Sequence, residues 1–287
     1  MTDSDWRPLA SVAALRARAA LLVQIRAFFA ARDVLEVQTP LLGEGTVTDP
    51  DVTGIEVPGY GYLQTSPEYF MKRLLAAGVP SCYQLAPAFR HEERGRRHNP
   101  EFAMLEWYRL GFDDQALMAE VAALVSEVLG PGEVRSVTYR ELLGVSEREI
   151  VETPRDELDL AFVEACDALM GRVFVTDYPA AQAALAQTRT SDAGETTAAR
   201  FELVIDGMEI ANGYFELRDA GEHRRRFDED LAIRGARGLA LKPIDERFLD
   251  ALDEGLPACA GVALGVDRLV MLALGADSLD AVLAFRG

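Results

Sequence analysis

Phe89-Arg90-His91-Glu92-Glu93-Arg94-Gly95-Arg96-Arg97-His98-Asn99-Pro100-Glu101-Phe102 is the stretch from which the rest of the chain can be read. Apolar-rich runs on either side, Cys82 to Arg90 and Phe102 to Leu110, make it a long antiparallel hairpin with an extended charged loop. Side chains alternate along a strand, so Arg90 and Glu92 share one face, and Phe102, Met104, Glu106 and Tyr108 share one on the return strand. If both sets face one pocket, a guanidinium for a phosphate, a carboxylate able to accept from an amine and an aromatic platform converge there. The loop adds Arg94, Arg96, Arg97 and His98 as a local cationic patch. A solvated charged hairpin is the competing reading, and the regular interleaving of charges with core-type residues counts against it.

Working outward, apolar positions at helical spacing over 11–33 predict an amphipathic helix, followed by a short strand from Val34 to Val37 that stops at Thr39-Pro40. Gly43 to Gly61 is rich in Gly, Pro and Asp and reads as loop. Ser66-Pro67-Glu68 looks like a helix start with proline at the first helical position, running to Gly78. Helices are expected over 114–129, 138–143, 156–170, 220–236 and 245–254. A strand pair is expected at 200–206 and 208–217, turned at Asp206-Gly207, a favoured two-residue hairpin turn. A short strand, Ala260–Leu264, leads into a helix from about Val266 to Leu274. Hairpins mixed with helices, without a regular βαβ rhythm, point to an α+β fold with an antiparallel sheet flanked by helices. The whole of 1–287 reads as one catalytic domain, with 131–199 an insertion or peripheral subdomain.

Two further constellations carry chemistry. With the turn at Asp206-Gly207, Glu202 and Glu209 fall on one sheet face and diagonal to each other, close enough for two carboxylates to share a divalent cation; an exposed hairpin face is the alternative. Asn212, Tyr214 and Glu216 have the opposite parity and reach that face only through a bulge, for which Asn212-Gly213 is a plausible site. Gly261-Val-Ala263-Leu-Gly265-Val-Asp267-Arg268 puts small residues on a strand and Arg268 in the first turn of a helix, a good phosphate site or a tightly packed, salt-bridged strand–helix junction. His223 beside Arg224–Arg226 reads as a solvated helix face.

The 287 residues carry 47 acidic and 29 basic side chains, a net charge of −18, and all but two of the basic ones are Arg. That balance argues against broad nucleic-acid binding, which needs a basic surface. Cys82, Cys166 and Cys259 lack any CxxC spacing and suggest reduced thiols in a cytoplasm rather than a disulfide framework or zinc site. No apolar run approaches the roughly 18 residues of a membrane span, and the first eight residues lack the apolar stretch of a signal peptide.

Together these residues resemble the catalytic core of class II aminoacyl-tRNA synthetases, the lysyl branch in particular. The helix and strand ending at Pro40 resemble that class's first motif, its dimer-interface element, which implies a homodimer. Phe89-Arg90-His91-Glu92 with His98-Asn-Pro-Glu-Phe102 is similar to the second motif, and Gly265-Val-Asp-Arg268 to the third. The resemblance implies ATP and Mg²⁺. Arg90 would hold the α-phosphate and the carboxylate side of the amino acid, and Glu92 and His98, with Asn99 beside them, would bind the adenine and pyrophosphate ends of ATP. Phe102 and Arg268 would sandwich the adenine, while Glu202 and Glu209 look like the magnesium ligands. Glu68 resembles the residue that takes the substrate's amino group. Glu106, Tyr108, Asn212, Tyr214 and Glu216 resemble the lysine-recognition set, with Glu216 on the distal ammonium.

Two departures from the lysyl pattern stand out. Only about ten residues precede the core where an anticodon-binding domain would lie, and Ala263 and Ser66 stand where that branch has Gly and Ala. Both departures are shared by the truncated paralogues that act as elongation factor P–lysine ligases, whose segments Thr65-Ser-Pro-Glu-Tyr and Gly261-Val-Ala-Leu-Gly-Val-Asp-Arg268 resemble. This resemblance implies ATP-dependent adenylation of (R)-β-lysine or lysine and its transfer to a lysine of elongation factor P, with no tRNA and no membrane partner. A truncated lysyl-tRNA synthetase, another aminoacyl-adenylate former and a non-catalytic binding module are the alternatives.

Overall fold

A computed structural model describes residues 6–91, 94–191 and 194–286. Helix α1 (Val12–Ala30) starts at Ser11, whose hydroxyl accepts from the Ala14 amide and caps the first turn. Strand β1 (Leu35–Glu36) follows, then β2 (Leu42–Gly43), β3 (Glu56–Val57) and β4 (Gly61–Leu63). These last three form a small separate sheet ordered β2-β4-β3, so the Gly-rich segment expected as loop has three short strands within and beside it. Helix α2 (Glu68–Ala76) leads to the long hairpin β5 (Cys82–Phe89) and β6 (Glu101–Leu110), paired antiparallel from Cys82↔Tyr108 to Phe89↔Glu101. Helix α3 (Asp114–Leu129) is capped by Asp113.

Next come β7 (Val134–Thr138), α4 (Tyr139–Leu143), α5 (Glu147–Glu152), α6 (Arg155–Asp167), β8 (Arg172–Pro179) and β9 (Thr188–Thr190). Strands β10 (Thr196–Ile205) and β11 (Met208–Phe215) are joined by Asp206-Gly207, both at positive φ (48° and 71°), as a two-residue turn of this twist requires. Helices α7 (Ala220–Ala236) and α8 (Glu246–Gly255), strand β12 (Cys259–Gly265) and helix α9 (Val266–Leu274) complete the set.

One nine-stranded sheet runs β1-β5-β6-β12-β11-β10-β8-β7, with β9 on β10. Its centre is antiparallel, but both margins are parallel pairs, β1 with β5 and β7 with β8. The chain is α+β, and the sheet is mixed at its edges rather than wholly antiparallel. Residues 131–199, expected as an insertion or peripheral subdomain, supply β8 and β7 to one side of this sheet, and Tyr139, Val173, Val175, Tyr178 and Val204 bury a local core there.

The pleat sorts side chains to two faces. Leu105, Trp107, Phe201, Leu203, Ala211, Val262 and Leu264 pack with Ile25, Phe29, Val121 and Val270 from α1, α3 and α9. The residues between them, Glu106 and Tyr108, Arg200 and Glu202, Asn212 and Tyr214, Gly261 and Ala263, all face a cleft on the opposite side. Among the described residues no helix is long and apolar enough to cross a membrane.

Candidate active site

The cleft has a volume of about 1180 Å³. Arg268 with His98 and Arg97 forms one cationic cluster in its lining, next to Arg90, and Glu68, Glu106 and Glu216 an acidic one, while Arg155, Arg225, Arg226 and Arg237 line it elsewhere beside acidic partners. The period of β6 brings Phe102, Met104, Glu106 and Tyr108 onto this face, and the Arg90 guanidinium lies 5.2 Å from the Phe102 ring centroid. Glu92 lies outside the described residues.

Arg268 sits in the first turn of α9, where the helix N-terminus adds its own positive potential. Its guanidinium donates to the Glu209 carbonyl (2.8 Å) and to Nε2 of His98 (2.7 Å), so that imidazole nitrogen is an acceptor here. Buried Asp267 beside it accepts from the Ala103 amide (2.8 Å) and pairs with Arg18 of α1 (2.6 Å), fixing α9 against β6. Asn99 is buried, and its amide is committed to the loop: Nδ2 donates to the Glu101 carbonyl and Oδ1 accepts from Arg286. Arg286 also donates to the carbonyls of Gly95 and His98, clamping the turn that presents His98.

Glu202 and Glu209 do come to one face, and the bulge that the opposite parity of Asn212 requires is present, but at Ile210 rather than Asn212-Gly213. Val204 pairs with Glu209 and Leu203 with Ala211, so Ile210 is the extra residue. Ile210 and Ala211 both enter the apolar core, and the residues after them switch parity as a block. Gly213 stays without a side chain for another reason: a Cβ there would come within 2.4 Å of the Phe201 ring.

Burial pushes the Glu202 carboxyl up to about 7, against the pull of Arg200, whose Nη2 donates to it at 2.6 Å. Asn212 Nδ2 donates to the same oxygen, while Asn212 Oδ1 is buried with no hydrogen-bond partner. A desolvated carboxylate, a second exposed one and an orphaned amide oxygen are hard donors that suit a cation shared with substrate phosphates. Among the described residues no group of three or more His, Cys, Asp or Glu forms a metal cage.

In the acidic cluster, Ser66 Oγ donates to Glu106 (2.8 Å) and accepts from the Glu68 amide (3.0 Å), so one hydroxyl orders two carboxylate residues. Tyr108 donates to the other Glu106 oxygen (2.7 Å). Burial, with Glu68 nearby, pushes Glu106 up to about 8 despite these donors. Glu216 is fully buried, and its Oε1 has no hydrogen-bond partner. It reaches this position because Gly261 leaves room: a Cβ there would come within 2.3 Å of Tyr108 and 2.4 Å of Glu216.

Two buried cations of this site escaped the sequence reading. Lys72 lies 2.6 Å from both Glu68 and Glu216, and Arg200 stacks over Tyr178 (4.4 Å) while holding Glu202. The i,i+2 spacing of Arg200 and Glu202 on one strand face was the available signal for the second. His223 is wholly buried against Phe227 and Phe248 rather than on a solvated face, and burial holds its imidazole neutral, pushed down to about 3.

The family model for class II tRNA synthetases (D, K and N) matches residues 4–286, and the chain belongs to that family. Among curated relatives, a protein of Vibrio cholerae serotype O1 is 47% identical over 99% of this chain and 98% of its own length. Proteins of Salmonella paratyphi B and Salmonella enteritidis PT4 are 46% identical over 98% of this chain and 97% of theirs. All three are named elongation factor P–(R)-β-lysine ligase. Membership of this family implies ATP as a substrate.

Proposed function

We propose that this enzyme activates (R)-β-lysine with ATP and passes it to a lysine side chain of elongation factor P. The observation that carries this reading is the division of the cleft: cations where a triphosphate would lie, and buried carboxylates with an unpartnered oxygen where ammonium groups would lie. A buried ammonium must be paired, and Glu216, Glu106 and Glu68 supply the charge. In the first step the substrate carboxylate attacks the α-phosphorus in line and pyrophosphate leaves. In the second, the acceptor amine attacks the acyl carbon, AMP leaves and the amine's proton goes to solvent.

No protein nucleophile is needed, so catalysis is positioning and charge neutralisation. Arg90 would neutralise the α-phosphate and Arg268 the distal phosphates, with His98 set by Arg268 at the pyrophosphate end. Phe102 offers the adenine a face. Mg²⁺, when bound with ATP, would be held by Glu202 and Glu209 and would supply charge neutralisation on the phosphates. The arrangement fits an acyl ligase with a protein rather than a tRNA acceptor, working as a homodimer in the cytoplasm. Exposed apolar residues of α1 and the strand after it (Val12, Val23, Leu35), together with three free thiols, support the dimer and the location.

Purified enzyme incubated with ATP, (R)-β-lysine and elongation factor P should add the mass of one lysyl group to the factor. Efficient charging of tRNA with α-lysine and no labelling of the factor would overturn the assignment.

A further inference from the structure

Lys72 is one of only two lysines in the chain, and it is fully buried. Its ammonium lies 2.6 Å from Oε1 of Glu68, one turn earlier on α2, and 2.6 Å from Oε2 of Glu216, just beyond β11. One charge therefore ties a helix to a strand across the floor of the cleft. The two carboxylates it joins are those required for amine recognition, and they approach it through single oxygens. Glu216 Oε1 is left buried without a hydrogen-bond partner, and it lies against the side-chain-free surface of Gly261, where a Cβ would come within 2.4 Å of it.

Glu68 meets Lys72 from α2, Glu106 from β6 and Glu216 from the end of β11, and the other cations acting on this neighbourhood are Arg200 on β10, Arg218 after β11 and Arg226 on α7. His223 approaches from α7 and Phe248 from α8, its ring centroid 6.0 Å from Nζ; Cys82 and Cys259 lie on β5 and β12. Burial keeps His223 neutral and pushes both thiols up to about 12, so at neutral pH none of these three carries charge. With Glu68, Glu106 and Glu216 ionised, Lys72 offsets one of their three charges, which leaves carboxylate charge for the ammonium groups of a substrate. Without Lys72, three neighbouring carboxylates in a desolvated site would repel one another and take up protons.

We propose that Lys72 is a positioning residue for substrate recognition: its ammonium, in contact with both carboxylates, fixes Glu68 and Glu216 at a set separation, so that the pocket selects a diammonium amino acid. This deepens, and rests on, the lysine-type substrate reading. The side chain does not touch the reacting atoms, and it acts through the two carboxylates.

The test is ATP–pyrophosphate exchange with (R)-β-lysine from pH 6 to 9 for the wild type, Lys72→Met and Lys72→Arg, with the KM for ATP as a check on folding. In Lys72→Met the KM for β-lysine should rise about ten- to hundredfold, the scale of a misplaced binding group, while the KM for ATP holds. The acidic limb of kcat/KM should move up by about one pH unit, because losing a cation in contact raises a carboxylate's pKa. Lys72→Arg should restore the limb and only part of the KM. A Lys72→Met enzyme with unchanged KM and an unmoved limb would overturn the inference while leaving the function intact. If Lys72→Met does not fold, an unchanged β-lysine KM in Lys72→Arg overturns it, and a raised KM with the limb in place supports it. A wild-type enzyme that exchanges with no lysine isomer would sink the functional reading, and this inference with it.

Discussion

A single methyl group at position 261 would be felt across the substrate pocket, since it would meet both the Tyr108 ring and the Glu216 carboxylate. Gly261→Ala should cost about 1–3 kcal/mol from overpacking and abolish exchange with lysine substrates, as thermal melts and exchange assays would show. Ala263 lies between Asn212 and Glu106 in the sheet, at the cleft surface. Ala263→Gly should improve α-lysine use relative to β-lysine, and an unchanged ratio in competition assays removes that residue from specificity. Glu106 carries a pH dependence. Its carboxyl is pushed up to about 8 by burial, yet an ammonium ligand needs it ionised. The KM for the amino acid should therefore fall as pH rises from about 6 through 8, and Glu106→Gln should flatten that limb. The same raised value has a stability consequence. The folded state holds a proton that the unfolded state releases near 4.3–4.5, so this stabilisation is fully present below that range and lost as pH rises through about 8. Unliganded enzyme should melt at lower temperature at pH 8 than at pH 5.5.

At the level of elements, the hairpin β5–β6 was legible because two apolar-rich runs flank one charged segment, and the structure pairs it from Cys82 to Phe89 without a break. The bulge was legible in kind but not in place. Its signal was the adjacent apolar pair Ile210-Ala211 between polar Glu209 and Asn212, which breaks the period of two at that point. Strands β7 and β8 escaped notice because they are joined by three helices and pair in parallel, and nothing local encodes such a partner. Arg286 illustrates the same limit. It holds the 95–99 turn through the Gly95 and His98 carbonyls and Asn99, contacts made across nearly two hundred residues of chain. Arg286→Ala should release that turn and raise the KM for ATP several-fold, with little change in the KM for β-lysine, as steady-state exchange would measure.

For the whole molecule, the −18 net charge at first only made broad nucleic-acid binding improbable. Set beside the cleft, it describes an acidic protein that keeps a local cationic cluster, Arg90, Arg97, His98 and Arg268, in one site suited to a triphosphate. The exposed apolar residues of α1 bear on assembly, and Val23→Glu should shift sedimentation from twice the chain mass toward the monomer. The sequence by itself determined the α+β class, the family resemblance and a set of candidate cleft residues such as Arg90, Phe102, Glu106 and Arg268, because each rests on local periodicity or a short motif. Only the tertiary structure decided that Lys72 bridges Glu68 and Glu216, that Arg200 restrains Glu202, and that Glu216 borrows its room from Gly261. The physical reason is that a buried charge is defined by its partners, and these partners come from segments far apart in the chain, brought together only when the sheet closes over them.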